Sequence, residues 1–357
     1  MTPAFVLFSD PHLGRAWGAH AVPLTREKLT EKYALPFNEI RARYPSTPKI
    51  CGGDLFDRAH NNEKLIHQAM LLAVDVDFIL AGNHDHASRE SALTSLQLMA
   101  RSGTEGIVMA EDHLNKADAQ YEQIGGVGVY LVPHHATQAL FEEAVYDCLA
   151  HAKEDSGPKV MVVHANHGPI GGGKPDSSLY VTPQLEAAIH QHVDLLFLGH
   201  EHLPRKLGKT YIMGSTQPCN FGELGPRFCY EIHRNGSELL VKQQELATTM
   251  TSATYTAVDV LRAGSKAEGL VADLVTLEGV APMAMTRQVQ RLVKEFFAAG
   301  ALAVRMNVEW QQGEQTGAQV SGSMRNLLDV VRGEIKDNEP WTLLLEEALV
   351  QINEGKQ

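Results

Sequence analysis

Cys51-Gly52-Gly53-Asp54-Leu55-Phe56-Asp57-Arg58 is the stretch that decides how this chain is read. The apolar lead-in Pro48-Lys49-Ile50-Cys51 looks like the end of a short buried strand. Two glycines then allow a sharp turn that leaves the Asp54 carboxylate at the strand's carboxyl edge. That edge is where open α/β sheets place their chemistry. A lone Gly-Asp proves little, because most strand-end aspartates cap a helix or close a turn. Four other strand ends change the odds. Phe5-Val-Leu-Phe8 runs into Asp10-Pro11-His12, and Phe78-Ile-Leu-Ala81 into Gly82-Asn83-His84-Asp85. Lys159-Val-Met-Val-Val163 runs into His164, and Leu195-Leu-Phe-Leu198 into Gly199-His200-Glu201-His202. Alternate residues of an extended segment point the same way, so Asp10 with His12, and His200 with His202, can each reach one site. Together with Asp54, Asn83 and His164 they make a nitrogen and oxygen donor set suited to two divalent ions sharing one carboxylate.

In this order and strand context the motifs resemble those of the calcineurin-like metallophosphoesterases: Asp-x-His, Gly-Asp-x-x-Asp, Gly-Asn-His-Asp/Glu, a single His, and Gly-His-x-His. The resemblance implies an α/β fold, a two-sheet sandwich flanked by helices. It puts Asp10, His12, Asp54 and His202 on one ion, and Asp54, Asn83, His164 and His200 on the other, with Asp54 bridging. It makes His84 the catalytic acid near the scissile group and Asp57 the carboxylate that orients it. Arg58 is a candidate to bind substrate phosphate, with a surface ion pair as the alternative.

Asp10-Pro-His12-Leu-Gly14, Gly53-Asp-Leu-Phe-Asp57, the single His164 and the segment Gly214-Ser-Thr-Gln-Pro218 with Phe221-Gly-Glu223 resemble SbcD-type DNA nucleases, including recombination nuclease subunits of large tailed phages. This implies manganese-dependent exonuclease and endonuclease action on DNA ends in repair or recombination. The expected partners are DNA, a second copy of the chain, and an SbcC-type coiled-coil ATPase that grips residues 323–357. One position departs from the pattern: many cellular relatives carry His where Asp57 stands. The Asp form is shared with bacterial and phosphatase members, so an orienting role is expected for Asp57 rather than direct substrate contact.

A chain of 357 residues predicts about two domains. With 44% hydrophobic and 21% charged residues and no apolar run of transmembrane length, a globular protein outside the membrane is expected. Met1-Thr-Pro-Ala4 enters the first strand at once, leaving no room for a signal peptide, so the expected location is the cytoplasm, that of the host for a phage gene. Cys51, Cys148, Cys219 and Cys229 show no paired spacing and read as reduced, partly buried thiols. A net charge of -12 argues against indiscriminate nucleic-acid binding. It does not exclude a DNA enzyme, since bound ions would reverse the sign at the site. Arg15, Arg58, Arg89, Lys174, Arg205, Lys206 and Lys209 cluster near the motifs, though each alone reads equally well as a solvated loop charge.

The catalytic domain is expected over residues 1–246. Helices are predicted over 24–44, 61–74 and 91–99, a strand over 125–133 ending in His134-His135, and a hairpin turning at Asn235-Gly236. His134 and His135 fit core, surface or substrate contact better than extra ligands. The glycine-rich loop after His164 lacks the Gly-Lys-Ser/Thr ending of a nucleotide P-loop. Residues 247–312 read as a small α+β capping domain. Within it Thr286 caps a helix stopped by Gly300, and Leu302, Val304, Met306, Val308 and Trp310 form one side of a half-buried strand. Residues 313–357 read as a linker and a helical pair, which either folds back on its own domain or docks a partner. A small-molecule or cyclic-nucleotide phosphodiesterase would use the same site without needing residues 247–357. A protein phosphatase would be expected to continue past Arg58 with Gly, and Ala59 stands there. A decayed scaffold is disfavoured because every ligand and His84 are present.

Overall fold

The structure is a computed structural model and describes residues 2–86, 93–110, 115–168, 179–264, 269–270 and 272–311. Residues 1–281 with 285–309 form one compact unit; 282–284 with 310–357 form a second, of which only 282–284 and 310–311 are described. The expected helical pair over 323–357 therefore lies outside the described residues.

Two six-stranded sheets dominate the first unit. In one, Phe5–Phe8, Lys49–Cys51, Phe78–Leu80 and Ile107–Val108 run parallel, with Phe228–Asn235 and Glu238–Glu245 added antiparallel beside Phe5–Phe8. In the other, Val127–Val132, Lys159–His164, Leu195–Gly199 and Thr210–Ile212 run parallel. Gln120–Ile124 and Arg205–Leu207 close its edges antiparallel. The strand patterns explain the layering. Phe5, Leu7, Ile50 and Leu80 meet Val129, Leu131, Val160, Val162 and Phe197 in one buried cluster between the sheets. The alternate residues Val6, Phe8, Cys51 and Ile79 face the helices Pro23–Arg43, Glu63–Ala73 and Ser95–Arg101. Tyr130, Val132, Met161, Val163, Leu196 and Leu198 do the same against Gln138–Glu154 and Pro183–Ile189. Strands covered on both faces read as continuous apolar runs, which is why these segments stand out in the sequence.

Local signals set the helix starts. The Asn62 side chain accepts the Leu65 N–H at 2.9 Å, and Thr94 with Gln97 makes a capping box. Asn235-Gly236 turns the hairpin as expected, with Gly236 at φ 64°. The four cysteines are free and buried.

Residues 252–311 hold a three-stranded sheet of Ser252–Thr256, Leu274–Pro282 and Ala303–Gln311 with helices Ala257–Arg262 and Thr286–Ala299. Two details differ from expectation. The last helix is capped from Met285, with Thr286 already in its first turn, and no side-chain cap bond is made. Val304 is buried but Met306 is 45% exposed, so apolar alternation overstated how much of that strand is covered. Gly300 ends the helix in the left-handed conformation at φ 118°. Among the described residues no helix is long and apolar enough to cross a membrane.

Candidate metal centre

Parallel strands present their carboxyl ends along one edge, and the candidate ligands leave from five of those ends. The ladder continues past the strands into the ligand loops. The Asp10 N–H donates to Gly53 O at 3.1 Å, and the His12 N–H to Asp54 O at 3.0 Å. The Asp10 carboxylate takes the His200 N–H at 3.0 and 3.1 Å, tying in the second sheet. Glycine is required where backbone meets ligand. A Cβ on Gly53, at φ 120°, would lie 2.0 Å from His164 Nδ1, and one on Gly82 would lie 2.1 Å from Asp54 Oδ1.

The side chains converge as two sets. In the first, His12 Nε2 lies 2.9 Å from His202 Nε2, 4.0 Å from Asp10 Oδ1 and 3.7 Å from Asp54 Oδ2. In the second, Asn83 Oδ1 lies 3.0 Å from His164 Nε2 and 2.7 Å from His200 Nδ1, and His164 Nε2 lies 3.5 Å from Asp54 Oδ2. A single oxygen, Asp54 Oδ2, thus faces both sets, while Oδ1 accepts the His84 N–H at 2.9 Å. Asp10, His12, Asp54 and His164 are buried. Two imidazole nitrogens 2.9 Å apart need either a proton or a cation between them, and so do buried carboxylates ringed by imidazoles. This donor set of imidazole, carboxylate and amide oxygen fits a pair of divalent first-row ions.

Burial disfavours the ionised form of Asp54, but His164, His12 and His84 outweigh it and hold its pKa well below the usual carboxylate value. Burial and the neighbouring Asp54 charge push Asp10 up, although His164 and His202 pull against them. Burial drives His12 well below the usual imidazole value. His164 is pushed up to about 9, burial being overcome by Asp54 and Asp10. His202 is pushed up to about 11, burial being overcome by Cys219 and Glu223. Protons on these last two imidazoles compete with any ion.

His84 stands beside the sets, its ring edge-on to His12 with centroids 4.9 Å apart. Its Nδ1 is 2.7 Å from the backbone carbonyl of Asp57, so Nδ1 carries the proton and Nε2 is left for chemistry. Here the structure differs from expectation. The Asp57 group that orients His84 is the carbonyl, because the Asp57 carboxylate is engaged by Arg15 Nη1 at 2.5 Å. Arg58 is exposed and lies along a groove of about 680 Å³ with His60, Lys64 and His67, and no contact places it at the ligand sets.

Three further residues hold the site, and motif reading gave none of them a role. Asp85 accepts the N–H groups of Gly82, Leu55 and Phe56 at 2.9, 3.2 and 3.1 Å, clamping two ligand loops together. Glu223 takes His202 Nδ1 at 2.8 Å and the Cys219 N–H at 2.7 Å. Arg227, wholly buried, donates to the His202 carbonyl and to Glu223 O. Two of them stand in quoted motifs, Asp85 in Gly82-Asn83-His84-Asp85 and Glu223 in Phe221-Gly-Glu223. His135 is a satisfied core histidine, with Nδ1 on Pro133 O at 2.9 Å and Nε2 accepting the Asp118 N–H at 3.0 Å.

The profile of the calcineurin-like phosphoesterases matches residues 4–204, over half of the chain and every candidate ligand. The chain belongs to that family. Metal-dependent phosphoester hydrolysis with two divalent ions is the chemistry of that family, and the His and Asp groups gathered here fit such ions. Comparison with curated proteins gives no match. Among solved structures the chain is similar to a putative 5'-nucleotidase from Staphylococcus aureus in complex with alpha-ketoglutarate. Identity is 16%, covering 69% of this chain and 54% of that one, with a TM-score of 0.43. The chain thus spans about half the length of that structure.

Proposed function

We propose that this phosphoesterase is a DNA nuclease subunit of SbcD type, cutting phosphodiester bonds with two manganese ions in recombination or repair. The observation that carries the reading is Glu223. The segment Gly214–Glu223 resembles the stretch after the last histidine motif in SbcD-type nucleases, and its terminal carboxylate grips the ligand His202. Asp10, His12, Asp54 and His202 would hold one ion and Asp54, Asn83, His164 and His200 the other. Bound there, the ions supply Lewis acidity to the phosphoryl oxygens and activate the attacking water.

The chain's own residues supply the rest. Asp54 keeps its carboxylate ionised between the sets. His84, fixed through Nδ1, presents Nε2 to the leaving oxygen and, when protonated, gives up a proton there. Asp57 holds the ring through its carbonyl, and Arg15 holds Asp57. Residues 323–357 dock an SbcC-type coiled-coil ATPase, and the nuclease works as a homodimer in the cytoplasm. Purified full-length protein with manganese is expected to degrade linear DNA. His84→Ala should lower that rate by about 10²–10⁴-fold with both ions retained. Brisk hydrolysis of small phosphodiesters with no cut in DNA would replace this reading with a small-molecule phosphodiesterase. Deleting residues 323–357 should abolish co-purification with the ATPase and leave metal content unchanged.

A further inference from the structure

Arg15 is a cation beside the ligand sets to which the mechanism gives only a supporting part. It follows Gly14 in the loop that delivers Asp10 and His12. Its guanidinium is held from two directions, Nη1 on Asp57 Oδ1 at 2.5 Å and Nε on the Cys219 carbonyl at 2.8 Å. Among the described residues Nη2 has no hydrogen-bond partner, and the side chain keeps 25% of its surface open. A planar guanidinium fixed on two edges with a third edge free is preorganised for a phosphate oxygen.

Position decides which phosphate. Arg15 reaches the site through Asp57, whose Oδ1 lies 3.7 Å from His12 Nδ1. That nitrogen is not the one facing the ligand sets, so the Asp57 carboxylate and the His12 imidazole lie between Arg15 and the other ligands. Asp57 also supplies the carbonyl that orients His84, so Arg15 and His84 are both bonded to this one residue. Arg58, the neighbouring candidate, faces the groove of His60, Lys64 and His67.

We propose that Arg15 binds a second phosphate of the substrate, adjoining the reacting one on the His84 side. The substrate class is then one with successive phosphates, as in a polynucleotide, and to that extent the assignment rests on the nuclease reading. The test is calorimetric titration of the manganese-loaded full-length protein with thymidine 3',5'-bisphosphate and, separately, thymidine 5'-monophosphate.

The bisphosphate should bind about tenfold more tightly or better, the range of a charge-assisted hydrogen bond. Arg15→Gln should bring the two Kd values together, and Arg15→Lys, which keeps charge but loses the fork, should retain part of the gap. Thermal melting of both variants reports folding, and if Arg15→Gln does not fold, the reduced gap in Arg15→Lys decides. An equal preference in Arg15→Gln, or none in the unaltered protein, overturns the assignment. The two readings fail separately: an Arg15-dependent gap in a protein that leaves DNA intact sinks only the nuclease reading. DNA cleavage with no such gap sinks only the role of Arg15.

Discussion

Glu223→Gln tests how the ligand His202 is held. Glu223 Oε1 takes His202 Nδ1 at 2.8 Å and Asn220 Nδ2 at 2.5 Å, and Oε2 takes the Cys219 N–H at 2.7 Å. Oε2 also lies 3.6 Å from Nη2 of Arg227, whose side chain is 0% exposed. The substitution removes a charge facing two cations and turns one acceptor into a donor aimed at an N–H. Breaking one side of a buried pair costs about 3–5 kcal/mol. Arg227 keeps the carbonyls of His202 and Glu223 and the Ser215 hydroxyl, so the low end, about 3 kcal/mol, is expected. Urea unfolding with excess chelator measures it.

The pH profile gives a sign. Glu223 is lowered from 4.5, so its contribution is in place above that value and fades as pH falls through the lowered one. His202 is pushed from 6.5 up to about 11, so its contribution is full below 6.5 and fades as pH rises towards 11. The gap between the unaltered protein and the variant should be widest between pH 4.5 and 6.5. A gap that widens towards alkaline pH refutes the argument. With metal, the ion held by His12 and His202 should bind about 10–100-fold more weakly and the other ion nearly as before. Equal weakening of both also refutes it.

Asp54→Asn should cost both ions, because Oδ2 faces both sets; metal analysis should fall from two ions per chain towards none, and full retention of one would disprove the sharing. Gly53→Ala puts a Cβ 2.0 Å from His164 Nδ1 at φ 120°, so a loss of about 2 kcal/mol or more in denaturant unfolding and weaker binding of the second ion are expected.

The sheets and the ligand order were legible because strands buried on both faces leave unbroken apolar runs, and each run stops at a short polar motif. His12 with His202 and Asn83 with His164 could be paired in advance only through the family resemblance, since 190 and 81 residues separate them. How the supporting groups act was hidden for another reason. Asp85 acts by accepting backbone N–H groups, and Asp57 acts on His84 through a carbonyl that every residue possesses. No residue type announces such a contact. Arg227 had no role in the sequence because only the folded chain puts the carbonyls of His202 and Glu223 around it.

Backbone conformation adds a feature that composition cannot carry. Among the described residues, those with positive φ other than glycine are Asp10 at 52°, His12 at 45°, Asp54 at 50° and His200 at 85°, all four of them candidate ligands. Each such residue costs about 1–3 kcal/mol unless its surroundings over-determine it. They do so mutually. The Asp10 and His12 N–H groups are held by Gly53 O and Asp54 O, and the His200 N–H by the Asp10 carboxylate. Relaxing any one ligand loop would break a bond that fixes another. Bonds between the loops, and not only the ligand side chains, therefore hold the donors in place. The strain lies in the joints between loops from separate strands, so a substitution at one loop should loosen ligands on the others.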